Sequence, residues 1–197
     1  MAAWYDSHRP GRRAALIGAA LAGVAFVLGG FKPKADRRPT GKALPTRSWR
    51  MGFSHNPARP TVKSVIAGIN MWSSRADSAI IHDDIPWADL LAGMSPRAIL
   101  ERDKVELVKF MRGKGLRLTM MLDITNGLAR ESEAPALVKA GRSLSEPAVQ
   151  ALVRDYALAV EVMLAPDWLG LAAETNLVRR IAPPALYLAV RECTALM

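Results

Sequence analysis

A glutamate follows a short apolar run near the C-terminal end of the sequence. Residues 169–180 read LGLAAETNLVRR, so Glu174, Thr175 and Asn176 come directly after the apolar run. A carboxyl group at the end of a buried strand can act as a general acid and base, because its surroundings can tune its affinity for a proton. It can equally cap a helix or pair with a cation such as Arg179. Both roles remain open at this point.

Polar side chains also follow three earlier apolar runs. They are His55 and Asn56, then His82 and Asp83, then Asp123, Thr125 and Asn126. If the runs are parallel strands, these groups meet at one edge of the sheet. Carboxylate, amide and imidazole groups at one edge can hold a polar ligand through hydrogen bonds. The sequence therefore predicts a polar binding site at the carboxyl ends of the strands.

A metal centre is an alternative use of the same edge. Its ligands would be His55, His82, Asp123 and Glu174. The close pair of histidines that metal-dependent barrel hydrolases carry on the first strand is absent, and the whole sequence holds only three histidines. We therefore expect neither a metal ion nor another cofactor.

The chain alternates between short apolar runs and amphipathic segments from about residue 49 onward. Strands are predicted at residues 50–54, 77–82, 116–124 and 168–174. Helices are predicted at residues 61–75, in the second part of 95–115, at 147–164 and from 183 to the last residue. Thr61 is a suitable N-cap residue for the helix at 61–75, and Pro147 is typical of the first turn of a helix. Four strand–helix units in succession without hairpin turns predict an α/β domain with a parallel sheet.

Two α/β architectures fit this succession. A doubly wound fold usually has a glycine-rich phosphate loop after its first strand, and GFSHNPARP at 52–60 is not one. A (β/α)8 barrel collects polar residues after each strand on one rim, as this sequence does. A whole barrel needs roughly 250 residues. We therefore expect residues 49–197 to form about four β/α units, the first half of a TIM barrel.

The N-terminal part has a different composition. Residues 14–31 are an uncharged run of 18 residues without a polar face, and HRPGRR precedes it. Such a run predicts a signal peptide or an uncleaved membrane anchor over residues 1–31, and hence export to the periplasm or beyond the cell. Residues 32–48 are basic and contain proline and glycine, which predicts a flexible linker. The folded domain is then 49–197, with contact to the membrane through 14–31.

The net charge of +9 does not indicate a nucleic-acid partner. Residues 1–50 carry 10 Lys and Arg against 2 Asp, whereas residues 51–197 carry 17 basic against 16 acidic side chains. The domain is close to neutral and has no stripe of alternating basic and aromatic residues. A single cysteine, Cys193, excludes a disulfide framework within the chain.

Three segments together resemble a known family. RMGFSHNPARP at 50–60, GLRLTMMLDITNG at 115–127 and WLGLAAETNL at 168–177 are similar to the N-terminal half of bacterial glycoside hydrolase-like barrels related to arabinogalactan endo-β-1,4-galactanases and β-mannanases. The resemblance covers residues 49–197. It implies a retaining mechanism on β-linked poly- or oligosaccharides, with the acid/base glutamate at the end of strand four and the nucleophile at the end of strand seven. Many of these enzymes have Asn directly before the acid/base, where this chain has Ala173.

The resemblance implies roles for individual residues. Glu174 takes the acid/base position, and no residue of 49–197 takes the nucleophile position. Substrate-binding side chains would be Asn176, Asp123, His55 and Asn126, with Trp72 as a stacking face. Trp87 and Trp168 are the alternative stacking residues.

A non-catalytic function is the alternative. The chain would then be a membrane-tethered carbohydrate-binding or interaction protein with a degenerate barrel. In either case a half-barrel leaves unpaired strands at both sides, and exposed strand edges promote self-association.

Overall fold

The computed structural model describes residues 48–54 and 61–195, which form an α/β fold of four strands and eight helices. The strands are β1 (Gly52–Ser54), β2 (Ser78–Asp84), β3 (Arg117–Asp123) and β4 (Trp168–Gly170). The helices are α1 (Val62–Ser73), α2 (Trp87–Leu91), α3 (Pro96–Asp103), α4 (Val105–Gly113), α5 (Pro135–Lys139), α6 (Pro147–Leu164), α7 (Thr175–Ile181) and α8 (Pro184–Ala195).

The four strands make one parallel sheet in the order β1-β2-β3-β4. The longest pairing joins β2 to β3, where Ser78 lies opposite Arg117 and Asp84 opposite Asp123. Both strands thus end in an aspartate at the same edge. The predicted α/β class with a parallel sheet is confirmed.

The two faces of the sheet differ in burial. One face carries the buried side chains of Ala79, Ile81, Leu118, Met120 and Leu122, which share one apolar core with the helices. Because side chains alternate along a strand, the residues between them point to the other face. These residues, such as Ile80, Thr119 and Met121, are only half-buried. The helices therefore cover one face, and the other face remains partly open.

Several helix boundaries follow the predicted signals. Thr61 caps α1, since its side chain accepts a hydrogen bond from the Ser64 amide at 3.2 Å. Ser95 caps α3 in the same way through the Ala98 amide, although no helix is predicted to begin there. The long helix α6 begins at Pro147 and ends at Leu164, as expected, and Ala165 then adopts a left-handed conformation. Residues 95–115 differ from the prediction, because they form two helices instead of a loop and one helix.

Two strand ends also differ from the prediction. β2 extends to Asp84, so His82 and Asp83 belong to the strand instead of following it. β4 stops at Gly170, four residues before the predicted end, and residues 175–181 form the unpredicted helix α7. The Ala173 amide still bonds the Leu122 carbonyl oxygen at 3.0 Å. Glu174 therefore stays beside β3 even though it lies outside the strand.

The predicted signal or anchor segment and most of the predicted linker belong to the N-terminal part of the chain. Residues 14–31 and 32–47 lie outside the described residues. Within 48–54 and 61–195, none of the helices combines the length and the hydrophobicity that a membrane crossing requires.

Candidate functional site

An arginine joins the carboxylates at the ends of β3 and β4. Nη1 of Arg130 donates to both carboxylate oxygens of Asp123, at 2.6 and 2.7 Å, and its Nε donates to Oε2 of Glu174 at 2.6 Å. The side chains of Arg130 and Asp123 are 6% and 4% exposed, whereas that of Glu174 is 55% exposed. One carboxylate of the cluster is thus buried and the other opens to solvent.

The loop between β3 and α5 positions Arg130. The Asn126 side chain accepts hydrogen bonds from the amides of Leu128 and Ala129, at 3.0 and 3.2 Å, and donates to Ser132 Oγ at 3.1 Å. An asparagine that bonds backbone two and three residues ahead fixes a tight turn. The loop therefore folds back over the end of β3 and places the guanidinium beside Asp123.

Gly127 allows that loop to approach the sheet. A Cβ at this position would stand 3.2 Å from Oδ1 of Asp84 and 3.3 Å from Oδ2 of Asp123. Such distances are tight for a carbon atom, so a larger residue would push the loop away from the two carboxylates. The same geometry places Asp84 and Asp123 on either side of one small gap.

Glu174 has an uncommon backbone conformation. Its φ of +49° and ψ of 37° lie in the left-handed region, which costs a residue with a side chain roughly 1–2 kcal/mol. Glu174 also precedes the first residue of α7, and its own side chain makes no cap hydrogen bond. The conformation turns the chain out of the sheet and presents the carboxylate to Arg130. Strained backbone of this kind is frequent at functional sites.

Burial and neighbouring charges shift the pKa values of two residues at this edge of the sheet. Loss of hydration, followed by the negative charges of Asp123 and Asp83, raises the pKa of Asp84 to about 6, although His82 and Arg130 oppose the rise. For Arg130, burial acts to lower the pKa, but the hydrogen bonds that it donates to Asp123 and Glu174 outweigh burial and raise the pKa. The edge therefore holds a cation together with one carboxyl group whose pKa is raised to about 6.

His82 and Asp83 lie on opposite faces of β2. His82 Nε2 is 3.4 Å from Oδ2 of Asp123, on the open face. Asp83 pairs with the buried ammonium of Lys104 at the start of α4, on the helix face. His82 therefore belongs to the site, whereas Asp83 serves the packing of helices on the sheet.

The structure brings some of the predicted residues together. Asp123 and Glu174 share Arg130, and Asn126 holds the loop that carries it. Asn176 is exposed in the first turn of α7, two residues beyond Glu174. His55 lies outside the described residues. The cation partner of Glu174 is Arg130, from another loop, and not the neighbouring Arg179.

Trp72 and Trp168 lie away from the cluster. Trp72 is in the last turn of α1 and stacks on Phe53 with ring centroids 5.7 Å apart. Since β2 begins five residues after α1 ends, Trp72 is near the amino edge of the sheet. Trp168 is at the start of β4, with the Arg117 guanidinium 5.9 Å from its ring centroid. Trp87 is buried in the core.

No arrangement of three or more His, Cys, Asp or Glu side chains suited to a metal ion occurs in the described residues. The cation between Asp123 and Glu174 is the guanidinium of Arg130. This guanidinium offsets one of the two negative charges that the carboxylates carry.

Two residues of the site were missed in the sequence. Arg130 lies in the loop DITNGLARES, where its spacing from Asp123 gives no sign that the loop folds back. Asp84 is not among the predicted site residues, because the second strand is predicted to end at His82. The pair of aspartates at 83 and 84, directly after an apolar strand, is the signal that could have identified it.

Comparisons with known proteins do not assign the chain to a family. No protein-family model matches the sequence, and no similar protein was found among curated proteins or solved structures.

Proposed function

We propose that residues 49–197 form the N-terminal half of a glycoside hydrolase-like (β/α)8 barrel that acts on β-linked polysaccharides or oligosaccharides by a retaining mechanism. Glu174 is the acid/base residue, and the nucleophile comes from the strands that complete the barrel. The observation that carries the proposal is the placement of Glu174 at the carboxyl edge of a parallel sheet whose strands follow one another in chain order.

The strand order supports a barrel over a doubly wound sheet. In a doubly wound sheet the order reverses at the point where the ligand binds, whereas barrel strands are added in sequence around the ring. The order here is β1-β2-β3-β4 without reversal. Helices cover one face only, as they do on the outside of a barrel. The partly open face then corresponds to one half of the barrel interior.

The polar edge supports a sugar ligand. His82, Asn176 and the exposed carboxylate of Glu174 offer hydrogen-bond donors and acceptors at one rim, which is where barrel enzymes bind substrates. In the proposed reaction Glu174 donates a proton to the leaving glycosidic oxygen and later removes one from water. The second carboxyl group must stand about 5–5.5 Å away to attack the anomeric carbon.

Export is part of the same proposal. Residues 14–31 would direct the domain across the cytoplasmic membrane or anchor it there, with residues 32–48 as the tether. Polysaccharides of this class are met outside the cytoplasm, so the proposed location and the proposed substrate agree.

A non-catalytic carbohydrate-binding function is the second candidate, and Arg130 favours it. One guanidinium bonds both Asp123 and Glu174, so these carboxylates stabilise the loop whether or not a reaction occurs. Such a site could hold sugar hydroxyl groups without cleaving a bond.

The catalytic and the carbohydrate-binding functions can be distinguished by how the rate of hydrolysis depends on the leaving group of the substrate. In protein that contains the completed barrel, Glu174→Ala should slow hydrolysis of β-1,4-linked oligosaccharides by ~10²–10⁴-fold, because their leaving oxygen needs a proton. Hydrolysis of activated aryl glycosides should be slowed far less, because their leaving groups do not need a proton. Glu131→Ala, at an exposed glutamate of the neighbouring loop, is the matched control and should change neither rate. Equal losses on both substrates would make Glu174 structural, and no hydrolysis with retained binding would favour the second candidate.

A further inference from the structure

One nitrogen of the Arg130 guanidinium bonds no other group in the described part of the chain. Nε donates to Glu174, and Nη1 donates to Asp123. The longer contacts of Nη1 are with Thr125 Oγ1 and the Asn126 carbonyl oxygen. Within the described residues, Nη2 donates no hydrogen bond, although it carries two of the five guanidinium N–H groups. A charged side chain that is only 6% exposed thus keeps two donors without a protein partner.

Nη2 is accessible to a ligand even though the side chain as a whole is buried. In residues 48–54 and 61–195, the one fully buried side-chain nitrogen or oxygen without a hydrogen-bond partner is Nε1 of Trp87. Because Nη2 also lacks a partner, it is not fully buried and contributes to the exposed 6% of the Arg130 side chain. An unpaired donor on a charged group costs free energy unless it finds an acceptor. Nη2 is therefore the atom through which this cluster can bond a ligand.

An acceptor that bonds no other group lies beside Nη2. The guanidinium is planar, so one N–H of Nη2 runs parallel to the Nε–H bond, which points to Oε2 of Glu174. The other oxygen, Oε1, has no hydrogen bond within the described residues, and the Glu174 side chain is 55% exposed. A donor and an acceptor thus stand next to each other at the rim.

The charges around this position favour a neutral ligand. Asp123 and Glu174 both contact Arg130, and Asp84 lies across a small gap from Asp123. Three carboxylates surround one guanidinium, and His82 adds positive charge only when it is protonated. An anionic ligand would be repelled by this arrangement. A sugar hydroxyl is neutral and can both accept and donate hydrogen bonds, so it suits an adjacent donor and acceptor.

We propose that Arg130 is a substrate-binding residue whose Nη2 donates to a sugar hydroxyl on a ring carbon next to the glycosidic bond, while Oε1 of Glu174 bonds the glycosidic oxygen itself. The inference rests on the proposed function, from which it takes the class of ligand. Arg130 then has two roles, since Nε and Nη1 hold the carboxylates and Nη2 bonds the ligand. A site of this kind discriminates strongly against a sugar that lacks the hydroxyl, because the donor would be left unpaired.

Binding of β-1,4-linked mannobiose and galactobiose to the full chain in detergent tests the proposal. The hydroxyls next to the glycosidic bond are the 2-hydroxyl of one sugar and the 3-hydroxyl of the other. One of the two corresponding deoxy derivatives should bind wild type at least tenfold more weakly than the parent disaccharide, because it leaves a charged donor unpaired. Equal affinity of the parent and both derivatives would overturn the proposal.

Two arginine variants show whether this discrimination depends on Nη2. Arg130→Lys keeps the positive charge but lacks the third nitrogen, so the parent and the deoxy derivatives should bind this variant with similar, weakened affinity. Arg102→Lys is the matched control, because all three nitrogens of Arg102 donate to groups of the protein. This variant should discriminate as wild type does. Discrimination that persists in Arg130→Lys would contradict the proposed contact.

Guanidinium resonances provide a test that does not depend on the folding of a variant. In isotope-labelled wild type, saturating β-1,4-mannobiose should shift the NMR signals of Nη2 of Arg130 and leave those of Arg102 unchanged. Shifts at the rim amides without a shift at Nη2 would remove this inference and leave the proposed sugar site. No shift at either place would remove both. A shift at Nη2 in a completed barrel that does not hydrolyse glycans would remove the proposed reaction alone.

Discussion

Two arginines of this protein each bridge two carboxylates, but in different surroundings. Arg102 on α3 bonds Asp89 and Asp103, and Arg130 at the sheet edge bonds Asp123 and Glu174. The Arg102 side chain is 32% exposed, whereas that of Arg130 is 6% exposed. The Arg102 cluster joins neighbouring helices on the outside of the fold. The Arg130 cluster joins a strand, a loop and a strained residue at the rim.

The difference shows which features point to function. An arginine with two carboxylates is by itself a structural device, as the Arg102 cluster demonstrates. The Arg130 cluster adds a left-handed glutamate with an exposed carboxylate and a neighbouring aspartate whose pKa is raised to about 6. The left-handed backbone of Glu174 costs free energy of folding. We therefore place the candidate site at Arg130 and not at Arg102.

The largest expected effect comes from removing the buried carboxylate of each cluster. Asp123→Asn should lower the free energy of unfolding by ~3–5 kcal/mol, because it leaves a buried guanidinium with only one anionic partner. Asp103→Asn should cost only about 1–2 kcal/mol, since water can reach the more exposed Arg102. Urea denaturation of both variants gives the comparison. Equal losses would mean that the two clusters are energetically alike.

The next effect tests the strain at Glu174. Ala165, after α6, is the other non-glycine residue with positive φ in the described part of the chain, at +42°. Ala165→Gly should raise stability by about 0.5–1 kcal/mol, because the relief of strain exceeds the entropy cost of glycine. Glu174→Gly should gain less or lose stability, since it also removes a partner of Arg130. If both changes stabilise the protein equally in thermal unfolding, the Arg130–Glu174 pair contributes nothing.

The smallest effect concerns Asp84 and pH. Because its pKa is higher in the folded protein than its ordinary value of 3.8, the folded state holds the proton more tightly, and stability should fall as pH rises from about 4 to 6. Asp84→Asn should remove this slope and raise stability at pH 7.5 by less than about 1 kcal/mol, since solvent screens an exposed group. Asp155→Asn on α6 should leave the slope in place. A slope that persists in Asp84→Asn would assign it to another group.

The sequence predicts the elements of this fold better than the contacts between them. Thr61 and Pro147 mark helix starts through local chemistry, and the apolar runs mark all four strands. Helix α7 begins after the left-handed turn at Glu174, which the residue type does not indicate because glutamate rarely adopts this conformation.

The same limit applies to the site. Asp123 and Glu174 were predicted because both end apolar runs. Arg130 is seven residues from Asp123 and 44 from Glu174, and only the turn at Asn126 brings it to both. Long-range pairing of this kind depends on how a loop folds over a sheet, and spacing along the chain does not encode it.

Mapping of sugar binding on the full chain tests the central claim most directly. Amide chemical shifts would be followed by NMR as β-1,4-linked manno- and galacto-oligosaccharides are added, in wild type, Glu174→Gln and the control Glu131→Gln. We predict shifts confined to the rim, at residues 82–84, 123–130 and 174–176, which weaken at least tenfold in Glu174→Gln and persist in Glu131→Gln. Shifts at the opposite edge around Trp168, or none at millimolar sugar, would contradict a carbohydrate site at Glu174.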